Sequence, residues 1–305
     1  MRIIGAPRGH APLEISFEFF PPKSPKAGAS MVDAASAFRE FKPAFCSVTY
    51  GAGGSNQSGT LDAALQVAAA SGGAPAAHLT AVGASRAAVN KVADDYWRKG
   101  IRHIVALRGD PQGNAGRYEA HPQGYLNAAE LVAGLKELHD FDISVAAYPE
   151  KHPESPSISS DIDNLKRKLD AGAARAITQF FFDPEAYLRF RDRLAARNIW
   201  KPVVPGILPI RNIEQVQRFA ADCGAVVPKQ VVAAFECAAD DEDRRRIAVD
   251  QAISLCERLL RHGVRDFHFY SLNKADLCLD VCRALNLAAE AESTVAQATF
   301  DIARD

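Results

Sequence analysis

The glutamate at position 18 lies in the run Ser16-Phe17-Glu18-Phe19-Phe20-Pro21-Pro22, with an aromatic residue on either side. A carboxyl group in apolar surroundings has its charged form disfavoured, so its pKa rises. It then becomes a candidate general acid near neutral pH. A second carboxyl, Asp110, follows Arg108-Gly109 and precedes Pro111. If it stays ionised, it could stabilise a cation that develops during a reaction. Further along, Asp161 to Lys168 reads DIDNLKRK, and Asn164, Arg167 and Lys168 are spaced three and four residues apart. On a helix that spacing puts them on one face. A basic face beside a helix start suits a diphosphate. The glycine-rich stretch Gly51-Ala52-Gly53-Gly54 would let backbone approach a ligand closely. It matches neither a dinucleotide fingerprint nor a phosphate loop.

Short β-branched or apolar runs recur at 14–20, 44–49, 76–80, 102–107, 142–147, 174–179, 202–206 and 265–270. Their continuous apolar character suits strands buried on both faces. Between them lie amphipathic stretches at 30–41, 60–71, 85–99, 127–139, 161–171, 184–197 and 244–262, with apolar residues every three to four positions. Ser85 and Asp161 stand where helix N-caps are expected, and Gly100, Gly172 and Gly263 where helices stop. The acidic run 240–243 before Arg244-Arg245-Arg246 reads as a helix start with acids in its first turn. Eight β-then-α units without a Pro/Gly/Ser-rich linker predict a (β/α)8 TIM barrel, one domain spanning 1–305, rather than a doubly wound open sheet. Residues 207–243 exceed one barrel helix and predict two extra helices, 212–222 and 228–238, between strands 7 and 8.

In such a barrel the active site forms at the C-terminal strand ends. Those ends carry Glu18, Thr49, His78, Arg108, Tyr148, Gln179, Gly206 and Tyr270, or lead into loops holding Asp110, His152 and Leu272. Such a mouth could take a flat polar ligand, with aromatics stacking on it and polar groups reading its edges. His103 and His268 fall inside strands and read as packing or hydrogen-bonded residues. The eight histidines show no H-E-x-x-H or other clustered spacing, so no metal is expected. No G-x-S-x-G elbow supports a hydrolase.

Composition sets outer bounds. The 305 residues are 48% apolar and 24% charged, with net charge −1 and both signs mixed along the chain. Nothing resembles a nucleic-acid footprint. Six cysteines lack C-x-x-C spacing, and Cys278 and Cys282, one helical turn apart, read as a packing pair. With no leader pattern or long apolar span, the cytoplasm is the expected address, without membrane partners.

The motifs SFEFFPPK, SVTYGAGGS, HLT, ALRGDPQG, AAYPEKHPES, NLKRKLDAGAARAITQFFFD, PGILPI and FHFYSLNKAD run in order from residue 16 to 276. This set resembles the bacterial methylenetetrahydrofolate reductase family. The resemblance implies a barrel that binds FAD, oxidises NADH or NADPH, and reduces 5,10-methylenetetrahydrofolate to 5-methyltetrahydrofolate in a ping-pong cycle. The alternative is another flavin- or folate-dependent barrel enzyme, such as a folate methyltransferase or an NAD(P)H:flavin oxidoreductase. The resemblance further implies a catalytic domain alone, and a homo-oligomer acting on small-molecule substrates is expected. Carried over residue by residue, Glu18 is similar to the general acid that helps open the folate ring to an iminium cation, and Asp110 to the carboxylate that stabilises it. Thr49, His78, Arg108, Gly109, Asp110, Tyr125, Ala146, Tyr148, His152, Asp161, Asn164, Arg167 and Lys168 match family flavin contacts. Gln179, Phe219, Tyr270, Leu272 and Lys274 match substrate-side positions, together with Glu18 and Asp110. Two features depart from the pattern: the loop Gln112–Gln123 is longer, and Lys274 stands where arginine is common, which keeps the charge but loses the planar fork.

Overall fold

The computed structural model describes residues 13–50, 57–110 and 118–285. The glycine loop 51–54, Pro111 and the first part of the long loop lie outside the described residues, as do the two ends of the expected domain. Strands form at β1 Glu14–Phe19, β2 Phe45–Val48, β3 Ala74–Thr80, β4 His103–Leu107, β5 Asp142–Ala147, β6 Arg175–Thr178, β7 Val203–Val204, β8 Gly206–Ile207 and β9 Asp266–Tyr270. All neighbouring pairs are parallel, in the order β7-β6-β5-β4-β3-β2-β1-β9-β8. The ends of that order, β7 and β8, are consecutive in the chain and separated by Pro205 alone. The run 202–206, expected as one strand, is thus two short ones. Proline has no N–H to give a ladder. Its carbonyl still accepts from His268 N at 3.0 Å, which closes the ring between β6 and β9. The result is the expected TIM barrel.

Helices α1 Pro25–Ala37, α2 Gln57–Ser71, α3 Arg86–Arg98, α4 Ala128–Leu138, α5 Ile158–Asp170 and α6 Pro184–Ala196 follow the first six strands. The two expected extra helices are present as α7 Ile213–Cys223 and α8 Lys229–Glu236, before α9 Asp241–Arg261. Residues 276–285 are helical as well. The helices that follow the strands bury one stripe: in α3, Val89, Val92, Ala93 and Tyr96; in α5, Ile162, Leu165 and Leu169. Ser85 caps α3, accepting from Ala88 N at 3.3 Å. The expected cap of α5 is corrected: Ser157 holds that place, accepting from Ser160 N at 3.1 Å, and Asp161 lies in the first turn. Both residues can cap; Ser157 starts the helix one turn earlier, and Asp161 becomes free for another partner.

Side chains on a strand alternate in direction. On β1 this sends Phe17 and Phe19 outward to the helices, where Phe17 stacks on Phe38 with ring centroids 3.8 Å apart. Ser16 and Glu18 point into the barrel. Contacts between strands that are not neighbours reveal the inner face. Phe45 of β2 meets His103 of β4 at 4.3 Å and His268 of β9 at 5.6 Å between ring centroids. The small buried group Phe45, Ala76, Ile177 and Val204 fills the barrel's lower interior. Above it the inner face turns polar.

Candidate active site

Glu18 sits at the top of that polar interior, with its side chain 14% exposed. Its Oε2 is 3.1 Å from His78 Nε2 and 3.6 Å from His268 Nε2. The expectation of a raised pKa is corrected. Burial does push the carboxyl up, but the charge of His78, with the contacts to His268 and His78, outweighs it and holds Glu18 at about 2. The physical reason is strand alternation. The flanking phenylalanines face the opposite side of β1, so the carboxyl sees two imidazoles instead of aromatic rings. Glu18 is therefore an anion at rest, and any acid role requires a proton held jointly with its neighbours. The Glu18 carbonyl accepts from Ser271 Oγ at 2.6 Å, which ties the end of β1 to the turn after β9.

His268 is the packing and hydrogen-bonded residue expected, and it also faces Glu18. Its ring packs on Phe45, and Nδ1 lies 2.8 Å from Ser16 Oγ, yet Nε2 is turned to the carboxyl. Strict period-2 reading of β9 would have found it, since His268 pairs with Ser16 in register and shares a face with Tyr270. His103 does behave as a hydrogen-bonded core residue, 2.8 Å from Ser144 Oγ.

Beside this cluster is a cavity of about 350 Å³ along the ends of β4 and β5 and the first turns of α5. It brings together ten expected flavin-contact residues: Arg108, Gly109, Asp110, Ala146, Tyr148, His152, Asp161, Asn164, Arg167 and Lys168. Lys168 is buried, and its ammonium donates to the Ala146 carbonyl at 2.5 Å. Burial lowers its pKa to about 8, against the opposing pull of Asp161. Asp161 accepts from His152 N at 2.7 Å and so fixes the loop after β5. Gly109 has φ +82 and comes so close to β3 that an added Cβ would lie 2.5 Å from Val82 Cγ1. Arg108 sits over the Tyr118 ring at 4.5 Å and pairs with Glu154. Asp110 is 3.6 Å from Arg108 and 78% exposed. This donor set, two guanidiniums, an ammonium, an amide and a helix start, fits a dianionic diphosphate.

Other expected residues lie elsewhere. Tyr125 is not brought to the cavity wall. It is buried, donates from its hydroxyl to Asn90 Oδ1 at 2.7 Å, and stacks under Arg86 at 4.8 Å. Tyr118, which sequence reading passed over, is the tyrosine beside Arg108. Thr49 follows β2 just before the glycine-rich stretch, and its carbonyl accepts from Thr60 Oγ1 at 3.0 Å. Gln179 follows β6, with Oε1 accepting from Phe180 N at 2.9 Å. Phe219 is 38% exposed on α7. Leu272 has φ +51 in the turn after β9, and Lys274 is exposed. Tyr270 lies across the barrel, its hydroxyl donating to the Thr178 carbonyl at 2.7 Å.

Glu18 and Asp110 do not touch. They are linked across the mouth by two tyrosines: Tyr148 feels the Asp110 charge, and Tyr270 feels both Glu18 and Tyr148. Burial raises both phenols, so each remains a neutral donor.

A family model described as Methylenetetrahydrofolate reductase matches residues 6–286. The chain belongs to the methylenetetrahydrofolate reductase family. It is 46% identical over 276 residues to the 5,10-methylenetetrahydrofolate reductase of Pectobacterium carotovorum, covering 90% of this chain and 91% of that protein. With the Escherichia coli K12 protein of the same name it shares 43% identity over the same coverage. It is also 32% identical to Methylenetetrahydrofolate reductase (NADH) 1 of Arabidopsis thaliana, covering 91% of this chain and 49% of that protein.

Proposed function

We propose that this chain reduces 5,10-methylenetetrahydrofolate to 5-methyltetrahydrofolate with NADH or NADPH, using bound FAD. The observation that carries the reading is a buried carboxyl, Glu18, set between two imidazoles at the barrel mouth beside a cationic cavity. When bound, the flavin supplies hydride transfer between the two substrates. Arg108, Asn164, Arg167 and Lys168 hold its diphosphate at the start of α5, with Gly109 giving backbone approach. Ala146, Tyr148, His152 and Asp161 shape the wall, and Thr49 and His78, at the ends of β2 and β3, would meet the flavin from outside that cavity. Asp110, open at the rim, binds the pterin edge and offers negative charge to a cation forming on the folate. Glu18 gives a proton to the folate nitrogen that leaves the methylene bridge, which opens the ring. Gln179, Phe219, Tyr270, Leu272 and Lys274 orient the substrate.

The test separates the two halves of the cycle by anaerobic stopped-flow of flavin absorbance. A Glu18→Gln variant still becomes reduced by NADH, while its reoxidation by methylenetetrahydrofolate falls about 100-fold or more. Equal loss in both halves would remove Glu18 from the acid role. A wild-type protein that forms no methyltetrahydrofolate would refute the reading itself.

A further inference from the structure

The sheet ladder between β1 and β9 ends at the pair Glu18 and Tyr270. One more rung follows, from Ser271 N to the Glu18 carbonyl at 3.2 Å. The chain then leaves the sheet. Leu272 and Asn273 stand at φ +51 and +57, in the left-handed region that residues with a Cβ seldom enter. Lys274 N closes the turn by donating to the Ser271 carbonyl at 2.9 Å, and Asn273 N donates to Ser271 Oγ at 3.2 Å.

The next rung is made by a side chain. Asn273 Oδ1 accepts from Phe20 N at 2.8 Å, and Asn273 Nδ2 donates to the Phe20 carbonyl at 2.9 Å. The two bonds fix the amide's orientation, since exchanging its O and N would set donor against donor and acceptor against acceptor. Pro21 and Pro22 follow Phe20 and have no N–H. The Phe20 N–H is therefore the last backbone donor of this segment before Lys23. Phe20 is 43% exposed, so water could serve both of its peptide groups with little loss of stability. A left-handed asparagine is thus held for contacts that stability does not require. Backbone of this kind clusters where position matters to function.

The amide joins two segments of one site. Glu18 and Phe20 lie on one side, and Leu272 and Lys274 flank Asn273 on the other. We propose that Asn273 is a positioning residue for the folate half of the reaction. By locking residues 18–20 to the turn 271–274, it sets the distance between the Glu18 carboxyl and the side chains that orient the substrate. The inference rests on the proposed reading of Glu18 as the acid and of Leu272 and Lys274 as substrate-side residues. Misplacing a reacting group by about 1 Å can cost on the order of 100-fold in rate, so a two-bond lock at this seam bears on the step that needs Glu18. Asn273 is not one of the residues lining the diphosphate cavity, so flavin binding does not depend on it.

Asn273→Gly is the decisive variant, because glycine adopts a left-handed φ without strain. It removes the amide and leaves the turn, whereas Asn273→Ala removes the amide and adds strain. The holoenzyme is labelled with nitrogen-15 phenylalanine, and the Phe20 amide is assigned by its loss in Phe20→Leu. That amide is expected to exchange slowly in the wild type and to lose its protection in Asn273→Gly. In stopped-flow, both Asn273 variants are expected to lose about 10- to 100-fold in the efficiency of flavin reoxidation by methylenetetrahydrofolate. Reduction by NADH, which takes no proton from Glu18, is expected to lose less, with FAD affinity unchanged. Wild-type reoxidation in Asn273→Gly beside a slow Asn273→Ala would show that only the shape of the turn matters, and would overturn the proposal. Equal slowing of both halves would do the same. Should the wild type form no methyltetrahydrofolate, the functional reading falls, and the Phe20 exchange still judges the lock: protection that persists in Asn273→Gly overturns it.

Discussion

Lys168 offers a quantitative handle on the anion site. Its ammonium is buried, hydrogen-bonded to the Ala146 carbonyl, and lowered from 10.5 to about 8 by burial. That difference corresponds to about 3 kcal/mol of disfavour for the charged form in the folded protein. A diphosphate placed beside the ammonium restores the charged form, so binding and protonation are coupled. Below pH 8 the free site is already charged. Above it, binding must first take up a proton, and affinity falls about tenfold per pH unit. Between pH 7 and 9 the FAD dissociation constant of apoprotein should therefore rise about tenfold, read by quenching of flavin fluorescence. Lys168→Met should bind more weakly at pH 7 and lose that pH dependence. The apoprotein gives a second sign to check. From pH 8 to 10.5 the unfolded lysine binds more protons than the folded one, so this group makes stability rise with pH in that window. A wild-type affinity that stays level from pH 7 to 9 would show that Lys168 does not face the anion, and the diphosphate assignment would fail with it.

The two tyrosines near the cavity are distinguishable. Tyr125→Phe should cost about 1 kcal/mol of stability through the lost Asn90 contact and leave FAD affinity unchanged, whereas Tyr118→Ala should weaken FAD binding a few-fold by uncovering Arg108; the opposite pattern in fluorescence titration and urea melts would place Tyr125 at the flavin. Gly206→Ala should destabilise by about 3 kcal/mol, because an added Cβ would lie 2.2 Å from the Thr178 carbonyl oxygen and 2.6 Å from the Tyr270 ring. A urea midpoint equal to wild type would refute that packing.

Much of the barrel was legible because its signals are local. A β-branched run bounded by glycine or a cap residue needs no tertiary knowledge. The acids before Arg244 do open a helix, with Asp240 as cap and Asp241, Glu242 and Asp243 in the first turn. Cys278 and Cys282 are indeed both buried and free. Of the residues expected at a flavin from motif resemblance, ten line one cavity. What failed was neighbourhood. Glu18 was read from its sequence neighbours, but in a strand those point the other way, and its true partners are 60 and 250 positions further on, in β3 and β9. Tyr125 packs against Asn90 and Arg86 and does not line the cavity, contacts that no spacing in the sequence signals. Asp161 lost the cap because a serine four residues earlier, Ser157, satisfied the same rule.

The inner face of the barrel shows what the chemistry demands of the fold. Barrel interiors are ordinarily packed with branched aliphatic residues. Here that packing stops at Phe45, Ala76, Ile177 and Val204. Above it stand a carboxylate, two histidines, a serine and a threonine, four of whose atoms have no hydrogen-bond partner among the described residues. Each such atom costs about 1–3 kcal/mol if dry. A sequence selected for stability alone would place valine or leucine there at no cost to the strands, since the outward faces of β1 and β9 already supply the helix contacts. The polar layer lies around Glu18, toward the C-terminal ends of the strands. The proton-handling role proposed for Glu18 would account for the placement of these polar residues around it.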